Sequence, residues 1–189
     1  AIYWLQRMQE GGFTPTVGDL SSVVAGCGRA GQPEDAERWV TEMRRLALRL
    51  DVVAYSSMVG ACAKAAMADR AMAWLVEMES EQLQPNAFVY NSLVHAHGLQ
   101  GGTAGAVACL QDMRRAALEP DVVSYSTVVG SCARAMQVND AVSWLQEMAR
   151  QALLPNAVSL GAVVGACARA GQADEALLWL ARMREGGLG

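Results

Sequence analysis

The stretch PDVVSYSTVVGSCARAMQVNDAVSWLQEMARQALLPN (120–156) decides the fold, because it holds two helical segments and closes on the type of dipeptide with which it opens. Small apolar residues of the first segment recur at the three- and four-residue spacing of a helix. In the second segment, Trp144, Leu145 and Met148 form an apolar stripe opposite polar residues. We therefore predict two antiparallel helices joined by a short turn, a helical hairpin.

The same unit recurs at a fixed interval along the chain. Methionine returns every 35 residues, and columns of alanine, valine and tryptophan keep this period without insertion or deletion. The methionine column is Met8, Met43, Met78, Met113, Met148 and Met183. A fixed period of this length indicates stacked units, because each unit must present the same side chain to its neighbour. We expect the methionines on the inner stripe of each second helix.

The interval divides the chain into a single repeat array. Its units are a partial repeat 1–16, repeats 17–51, 52–86, 87–121 and 122–156, and a shortened repeat 157–189. Gly31 suits the end of a first helix, and Pro33 suits the first turn of the second helix. The expected N-caps of three first helices are Asp19, Ser124 and Ser159.

Composition argues against several classes of protein. Hydrophobic residues make up 52% of the chain but aromatic residues only 6%, so we expect a core of small side chains between close-packed helices. Lys64, Asp69 and Arg70 interrupt the most apolar region, which argues against membrane insertion. No nucleophile–base pair, phosphate loop or cofactor motif is present, so we expect neither an enzyme, nor a cofactor, nor a small-molecule substrate. The chain begins inside a repeat without a targeting segment, and we expect it to be a piece of a longer protein.

Four of the five cysteines share one column of the repeat. They are Cys27, Cys62, Cys132 and Cys167, and His97 takes the remaining place. Equivalent atoms of stacked helices lie about 8–10 Å apart, whereas zinc requires its sulfur ligands about 2.3 Å from the metal. We therefore expect small buried thiols between helices and no metal site.

Three segments carry a resemblance to a known family: PNAFVYNSLVHAHG (85–98), PDVVSYSTVVGSCARA (120–135) and DAVSWLQEMARQALLPN (140–156). Their 35-residue period and Pro-Asp/Asn junction resemble the plain form of the pentatricopeptide repeat family, and the resemblance covers the whole chain. Tetratricopeptide repeats differ, because their period is 34 residues and they lack this junction. The resemblance implies an all-α fold, a right-handed α-solenoid superhelix of stacked antiparallel helical hairpins, with the first helices on its inner wall.

Proteins of this family bind single-stranded RNA, and a few side chains of each repeat read one base. The resemblance implies one reader early in the first helix and a second at the last residue of the repeat. The pairs are Ser21 with Asp51, Ser56 with Asn86, Asn91 with Asp121, and Ser126 with Asn156. By the family's pairing rule they read G-A-U-A, with the N-terminus toward the 5′ end. Gly161 takes the first-reader position of the last unit. No base is assigned to this unit.

The resemblance also implies apolar side chains that sandwich each base. These lie just ahead of the first readers and are Val53, Phe88, Val123 and Val158. Gly18 takes this place in the first full repeat and weakens it as a reader. The reader residues and the sandwich residues each have a second interpretation. Asp and Asn before a helix are common caps, and the apolar residues also suit packing between repeats.

The charge distribution separates the first helices from the rest of the chain. A net charge of −4 is unusual for a protein that binds a polyanion. The first-helix segments hold four basic residues and one acidic residue, whereas the rest holds eleven basic and eighteen acidic residues. The basic column is Arg29, Lys64, Arg134 and Arg169. These cations suit phosphate contacts, and they equally suit the negative C-terminal end of a helix dipole.

Two functions are compatible with the sequence. The first is a sequence-selective module that binds single-stranded RNA and acts in organellar RNA processing, stability, editing or translation, in a mitochondrion or a chloroplast. The second is a structural subunit of a large organellar assembly, such as a ribosome or a membrane-associated complex, that binds protein subunits. The reader pairs favour the first, whereas the acidic exterior, Gly18 and Gly161 favour the second.

Overall fold

A computed structural model describes Gly12 and residues 14–185. Within these residues all regular secondary structure is helical, which confirms the all-α prediction. The ten described helices are α1 (Val17–Ala30), α2 (Pro33–Arg45), α3 (Val52–Lys64), α4 (Ala68–Ser80), α5 (Ala87–Leu99), α6 (Thr103–Arg115), α7 (Val122–Arg134), α8 (Val138–Arg150), α9 (Ala157–Arg169) and α10 (Ala173–Glu185). The chain divides into two units, Ala1–Ala96 and His97–Gly189, and the boundary falls within α5.

Successive helices pair as hairpins within each unit. In the first unit α1 packs against α2, and α3 packs against α4. In the second unit α7 packs against α8, and α9 packs against α10. First helices of neighbouring repeats also contact each other, α1 with α3 and α7 with α9. The first helices of each unit therefore form a continuous layer.

The methionine column lies in the core. Its described side chains are fully buried on the second helices, and they are Met43, Met78, Met113 and Met148. Four members of the valine column, Val24, Val59, Val94 and Val129, are equally buried on the first helices, and Val164 on α9 is half-buried. Because the core residues recur at one interval, neighbouring repeats reuse the same packing. Met8 and the side chain of Met183 lie outside what the structure describes.

The N-caps of three first helices lie three residues before the predicted ones. The N-caps of α1, α7 and α9 are Thr16, Asp121 and Asn156. The prediction of Asp19, Ser124 and Ser159 as N-caps is wrong, because these residues lie at the third helical position. They instead complete capping boxes, in which the two side chains each accept a hydrogen bond from the other residue's backbone N–H.

The turn that closes each first helix requires a left-handed residue. Gly31 fulfils this requirement with a φ of 68°, as glycine does at many helix ends. The equivalent positions one and three repeats later are Ala66, with a φ of 55°, and Met136, with a φ of 60°. Side chains with a Cβ adopt this conformation at a cost of about 1–2 kcal/mol. The repeat geometry therefore overrides local backbone preference at these turns.

Replacing Ala66 by glycine is expected to raise the free energy of unfolding by about 0.5–1 kcal/mol, because the strain relieved exceeds the added chain entropy. The matched control is Gly31→Ala, the reverse exchange at the equivalent turn. Its Cβ would lie 3.2 Å from the Lys64 Cβ as well as at a positive φ, so we expect a loss of stability. Urea unfolding of both variants checks the prediction, and a destabilised Ala66→Gly variant would contradict it.

α1 and α3 approach each other closely at one glycine. A Cβ placed on Gly28 would lie 2.7 Å from the backbone oxygen of Ser57 and 3.3 Å from its Cα. Real Cβ atoms do not approach a backbone oxygen at this distance, and the backbone cannot rotate away as a side-chain end can. Gly26, on the same helix, faces open space. The spacing of α1 and α3 therefore depends on Gly28.

Polar contacts join second helices to the neighbouring repeat. Glu77 on α4 accepts a hydrogen bond from the Tyr55 hydroxyl at 2.8 Å and forms a salt bridge with Arg44 on α2. The Arg44 guanidinium also lies over the Trp74 ring, 5.6 Å from its centroid. Burial, followed by the hydrogen bond to Glu77, raises the pKa of Tyr55 to about 12. Tyr55 therefore stays neutral at physiological pH.

The equivalent contacts recur in the second unit. Arg114 on α6 donates a hydrogen bond to the Tyr125 hydroxyl and lies 3.8 Å from Glu147 on α8. Its guanidinium lies 5.9 Å from the centroid of the Tyr125 ring. An arginine, a tyrosine and a glutamate thus join neighbouring repeats in both units.

All five cysteines are free and buried. Burial raises the pKa of every one of these thiols, to about 11 for Cys109 and Cys132. Such thiols are poor nucleophiles near neutral pH. Among the described helices, none is both long enough and apolar enough to cross a membrane.

Candidate nucleic-acid interface

The structure joins the first reader pair directly. The Ser21 hydroxyl donates a hydrogen bond of 2.9 Å to the Asp51 carboxylate, across the contact between α1 and α3. The same Asp51 oxygen accepts the backbone N–H of Ala54 at 2.8 Å and caps α3. Asp51 is therefore a helix cap, and the same geometry is compatible with its predicted role as a reader.

The last reader pair has the same arrangement in the second unit. Ser126 on α7 donates to the Asn156 side-chain oxygen at 3.4 Å, and Asn156 caps α9 through the Ser159 N–H at 2.9 Å. Gly161, on the same helix as the Asn156 cap, has no atom within 4 Å of an added Cβ. The last unit therefore offers open space where other repeats place a polar side chain.

The two middle pairs leave polar atoms without a partner. Ser56 Oγ and Asn91 Oδ1 are buried and have no hydrogen-bond partner among the residues that the structure describes. Asn86, the second reader of the Ser56 pair, accepts the Val89 N–H at 3.1 Å. Asp121 belongs to the other unit than Asn91, and it accepts the Ser124 N–H at 2.9 Å. Unpaired buried polar atoms are costly and uncommon, so these two positions have hydrogen-bonding capacity for a ligand.

Exposed apolar side chains flank the recessed readers. Ser21, Ser56 and Ser126 are only 2%, 8% and 6% exposed. The predicted sandwich residues are all more than half exposed, and they are Val53, Phe88, Val123 and Val158. A polar floor with apolar sides suits a planar base, which stacks through its faces and forms hydrogen bonds through its edge. Their exposure argues against burial between repeats as the role of these four residues.

Phe88 lies against the preceding first helix. An added Cβ on Gly60 of α3 would meet the Phe88 ring at 3.1 Å, so the ring covers the helix at that glycine. The ring nevertheless remains 56% exposed. Phe88 is therefore an exposed aromatic ring among the four sandwich positions.

The basic column lies at the ends of the first helices, and three of its cations bind helix carbonyls. Lys64 donates to the Arg29 carbonyl at 2.7 Å, Arg134 to the Gly98 carbonyl at 3.4 Å, and Arg169 to the Ala133 carbonyl at 3.1 Å. Each carbonyl belongs to the end of the preceding first helix, so the cations complement its dipole. An ammonium or guanidinium has further N–H donors, so these contacts are compatible with phosphate binding.

One column of polar residues beside the readers was not predicted. Hydroxyl groups one residue after the first readers each donate to the carbonyl four residues earlier, and they belong to Ser22, Ser57, Ser92 and Thr127. Their 35-residue spacing was visible in the sequence. The hydrogen bond between the first reader and the cap was not visible in the sequence, because it depends on the contact between two first helices.

Comparisons with known proteins agree with the fold. Residues 6–187 match a family model described as the pentacotripeptide-repeat region of PRORP. The chain therefore belongs to the pentatricopeptide repeat family. A search of the curated proteins found no match.

Several solved structures share the helical-repeat solenoid fold. PPR10 from maize is 28% identical with a TM-score of 0.77, over 99% of this chain and 27% of that one. PPR10 in complex with an 18-nt psaJ RNA element is 29% identical with a TM-score of 0.82, over 100% and 28%. This chain thus spans little more than a quarter of PPR10. The PPR domain of Arabidopsis thaliana protein-only RNase P 1, in complex with tRNA, is 18% identical with a TM-score of 0.72, over 88% of each chain, and shows the fold alone.

Proposed function

We propose that the chain binds single-stranded RNA selectively, with one base read by each of four repeats as 5′-G-A-U-A-3′. It acts by binding rather than by catalysis, in the processing, stability, editing or translation of RNA in an organelle. The observation that carries the proposal is a recessed serine near an exposed apolar residue. The serine hydroxyl donates a hydrogen bond to the cap of the next first helix, as Ser126 does to Asn156. PPR10 in complex with RNA matches 100% of this chain, which supports RNA as the class of ligand.

Hydrogen-bond chemistry supports base reading at these positions. Serine has one donor and two lone pairs, and the asparagine amide has both donors and an acceptor, so each pair can match the edge of one base. Neighbouring repeats offer either carboxylate or amide at the second position, as in Asp51 and Asn86. An acceptor-only carboxylate and a mixed amide select different base edges, which supports discrimination between G and A.

The test measures fluorescence anisotropy of labelled RNA that contains GAUA within a flexible flank, compared with the scrambled sequence. Four bases stacked at about 1–3 kcal/mol each predict measurable binding of both oligomers. The hydrogen-bonding groups of the reader pairs predict tighter binding of the GAUA oligomer. Equal affinity for both oligomers would exclude base reading. The double variant Asn86→Asp with Asn91→Ser is expected to change the preferred sequence to G-G-G-A.

The matched control is Asn139→Asp, which makes the same exchange on α8 away from the reader columns. It should lower affinity slightly and equally for all sequences, because it adds one negative charge. A preference that shifts in this control, or that stays at GAUA in the double variant, would contradict the assigned readers.

A further inference from the structure

A groove between α8 and α10 in the second unit is more apolar than its equivalent one repeat earlier. It has a volume of about 410 Å³ and is lined by Leu154, Leu160 and Trp179 among others. This volume lies within the range of known ligand sites, about 300–1,000 Å³. Leu154 is 84% exposed, so the apolar surface continues out of the groove.

The preceding repeat supplies an internal comparison. Its groove has a similar volume, about 420 Å³, but is lined by Arg114, Glu119 and Tyr125. Arg114 and Tyr125 are hydrogen-bonded to each other there and, with Glu147, join neighbouring repeats. The residues 35 positions later are Ala149, Leu154 and Leu160, which all line the apolar groove. Three polar positions have thus become apolar together at one place in the fold.

The charge at the edge of the groove is also reversed. Arg182 replaces the glutamate that bridges neighbouring repeats at Glu77 and Glu147. Its guanidinium lies over the Trp179 ring, 4.6 Å from the centroid. Among the side chains that the structure describes, Arg182 forms no salt bridge. A guanidinium stacked on a ring keeps its N–H donors at its edge, where they suit two oxygens of one carboxylate.

We propose that the groove lined by Ala149, Leu154, Leu160, Trp179 and Arg182 binds an acidic segment of a partner protein. The segment places a bulky apolar side chain between α8 and α10 and a carboxylate on Arg182. The apolar lining provides the burial, and the arginine next to an aromatic ring is the kind of anchor that dominates protein interfaces. A partner of this chemistry complements both features of the groove.

The groove suits a polypeptide better than other occupants. A small molecule within the groove would leave the exposed Leu154 side chain largely in water. A polypeptide can cover both the groove and the exposed part of Leu154. RNA is disfavoured, because the lining is apolar and carries one cation. None of the predicted reader positions lines the groove.

The test selects a random phage-displayed peptide library on the whole chain, with counter-selection on Leu154→Glu. Enriched peptides are expected to combine a bulky apolar residue with Asp or Glu. A synthetic, labelled copy of an enriched peptide should bind about tenfold or more weakly to Leu154→Glu and to Arg182→Glu. Binding to Arg182→Glu should return when the peptide's acidic residue is replaced by lysine, which a purely structural role would not produce.

The matched control is Leu178→Glu, an equally drastic change on α10 at an exposed leucine that does not line the groove. It should leave peptide affinity unchanged, and unchanged helical circular dichroism should verify the fold of all variants. Enrichment of non-acidic peptides, or equal binding to Leu154→Glu, would overturn the proposal. So would a dimer of the chain that Leu154→Glu dissociates in sedimentation, because the groove would then bind a second copy.

Discussion

Replacing Met78 by alanine is expected to lower the free energy of unfolding by about 2–5 kcal/mol. Met78 is fully buried on α4, in the column that every second helix repeats. The substitution removes most of an apolar side chain and leaves a cavity that the neighbouring helices close only in part. Because neighbouring repeats stabilise each other, the loss should extend beyond the altered hairpin.

The control is Val76→Ala on the same helix, where the side chain is 60% exposed. Exposed exchanges of this kind change stability by about 0.5 kcal/mol or less. Guanidinium unfolding followed by circular dichroism measures the free energy of unfolding of both variants. The curves require a nearest-neighbour analysis, because repeat arrays do not always unfold in one step. Equal losses in the two variants would show that the methionine column is not part of the core.

Replacing Gly28 by alanine is expected to cost about 1–3 kcal/mol, the range for overpacking of a close contact. The added Cβ would lie 2.7 Å from the Ser57 backbone oxygen, so α1 and α3 must move apart. The same contact holds Ser21 of α1 beside Asp51, the cap of α3. We therefore expect weaker RNA binding at the first repeat as well as lower stability.

Gly26→Ala separates this clash from the ordinary effect of alanine in a helix. Gly26 has open space around its missing Cβ, and alanine is favoured over glycine inside a helix by about 0.5–1 kcal/mol. The two substitutions should therefore change thermal stability in opposite directions on one helix. A stabilised Gly28→Ala variant would show that α1 and α3 separate without cost.

The sequence was sufficient to predict the fold because one period carries it. The methionine and valine columns indicate which faces are buried, and Pro33 indicates where a second helix begins. Helix starts were misplaced at Asp19, Ser124 and Ser159, because a capping box contains two suitable residues and the pattern does not rank them.

The sequence predicts the columns of the candidate site but not the contacts between their residues. The sequence places Ser21 and Asp51 in separate helices, and only packing shows that they share a hydrogen bond. Likewise, the basic column was visible, but its bonds to carbonyls of the preceding helix depend on the stacking distance. The groove at Leu154 and Leu160 required comparison of equivalent positions once their shared location was known.

The shared duty of the cap residues limits how this surface can be redesigned. Asp51, Asp121 and Asn156 each accept a hydrogen bond from the third amide of the following helix through the side chain that is also the predicted second reader. Their replacement by alanine or a long side chain would remove the cap, at a cost of about 0.5–2 kcal/mol. Folding therefore favours Asp, Asn, Ser, Thr and Gly at this column. A combinatorial library randomised there should be weighted toward these five residues, since each other residue lowers stability as well as changing the surface.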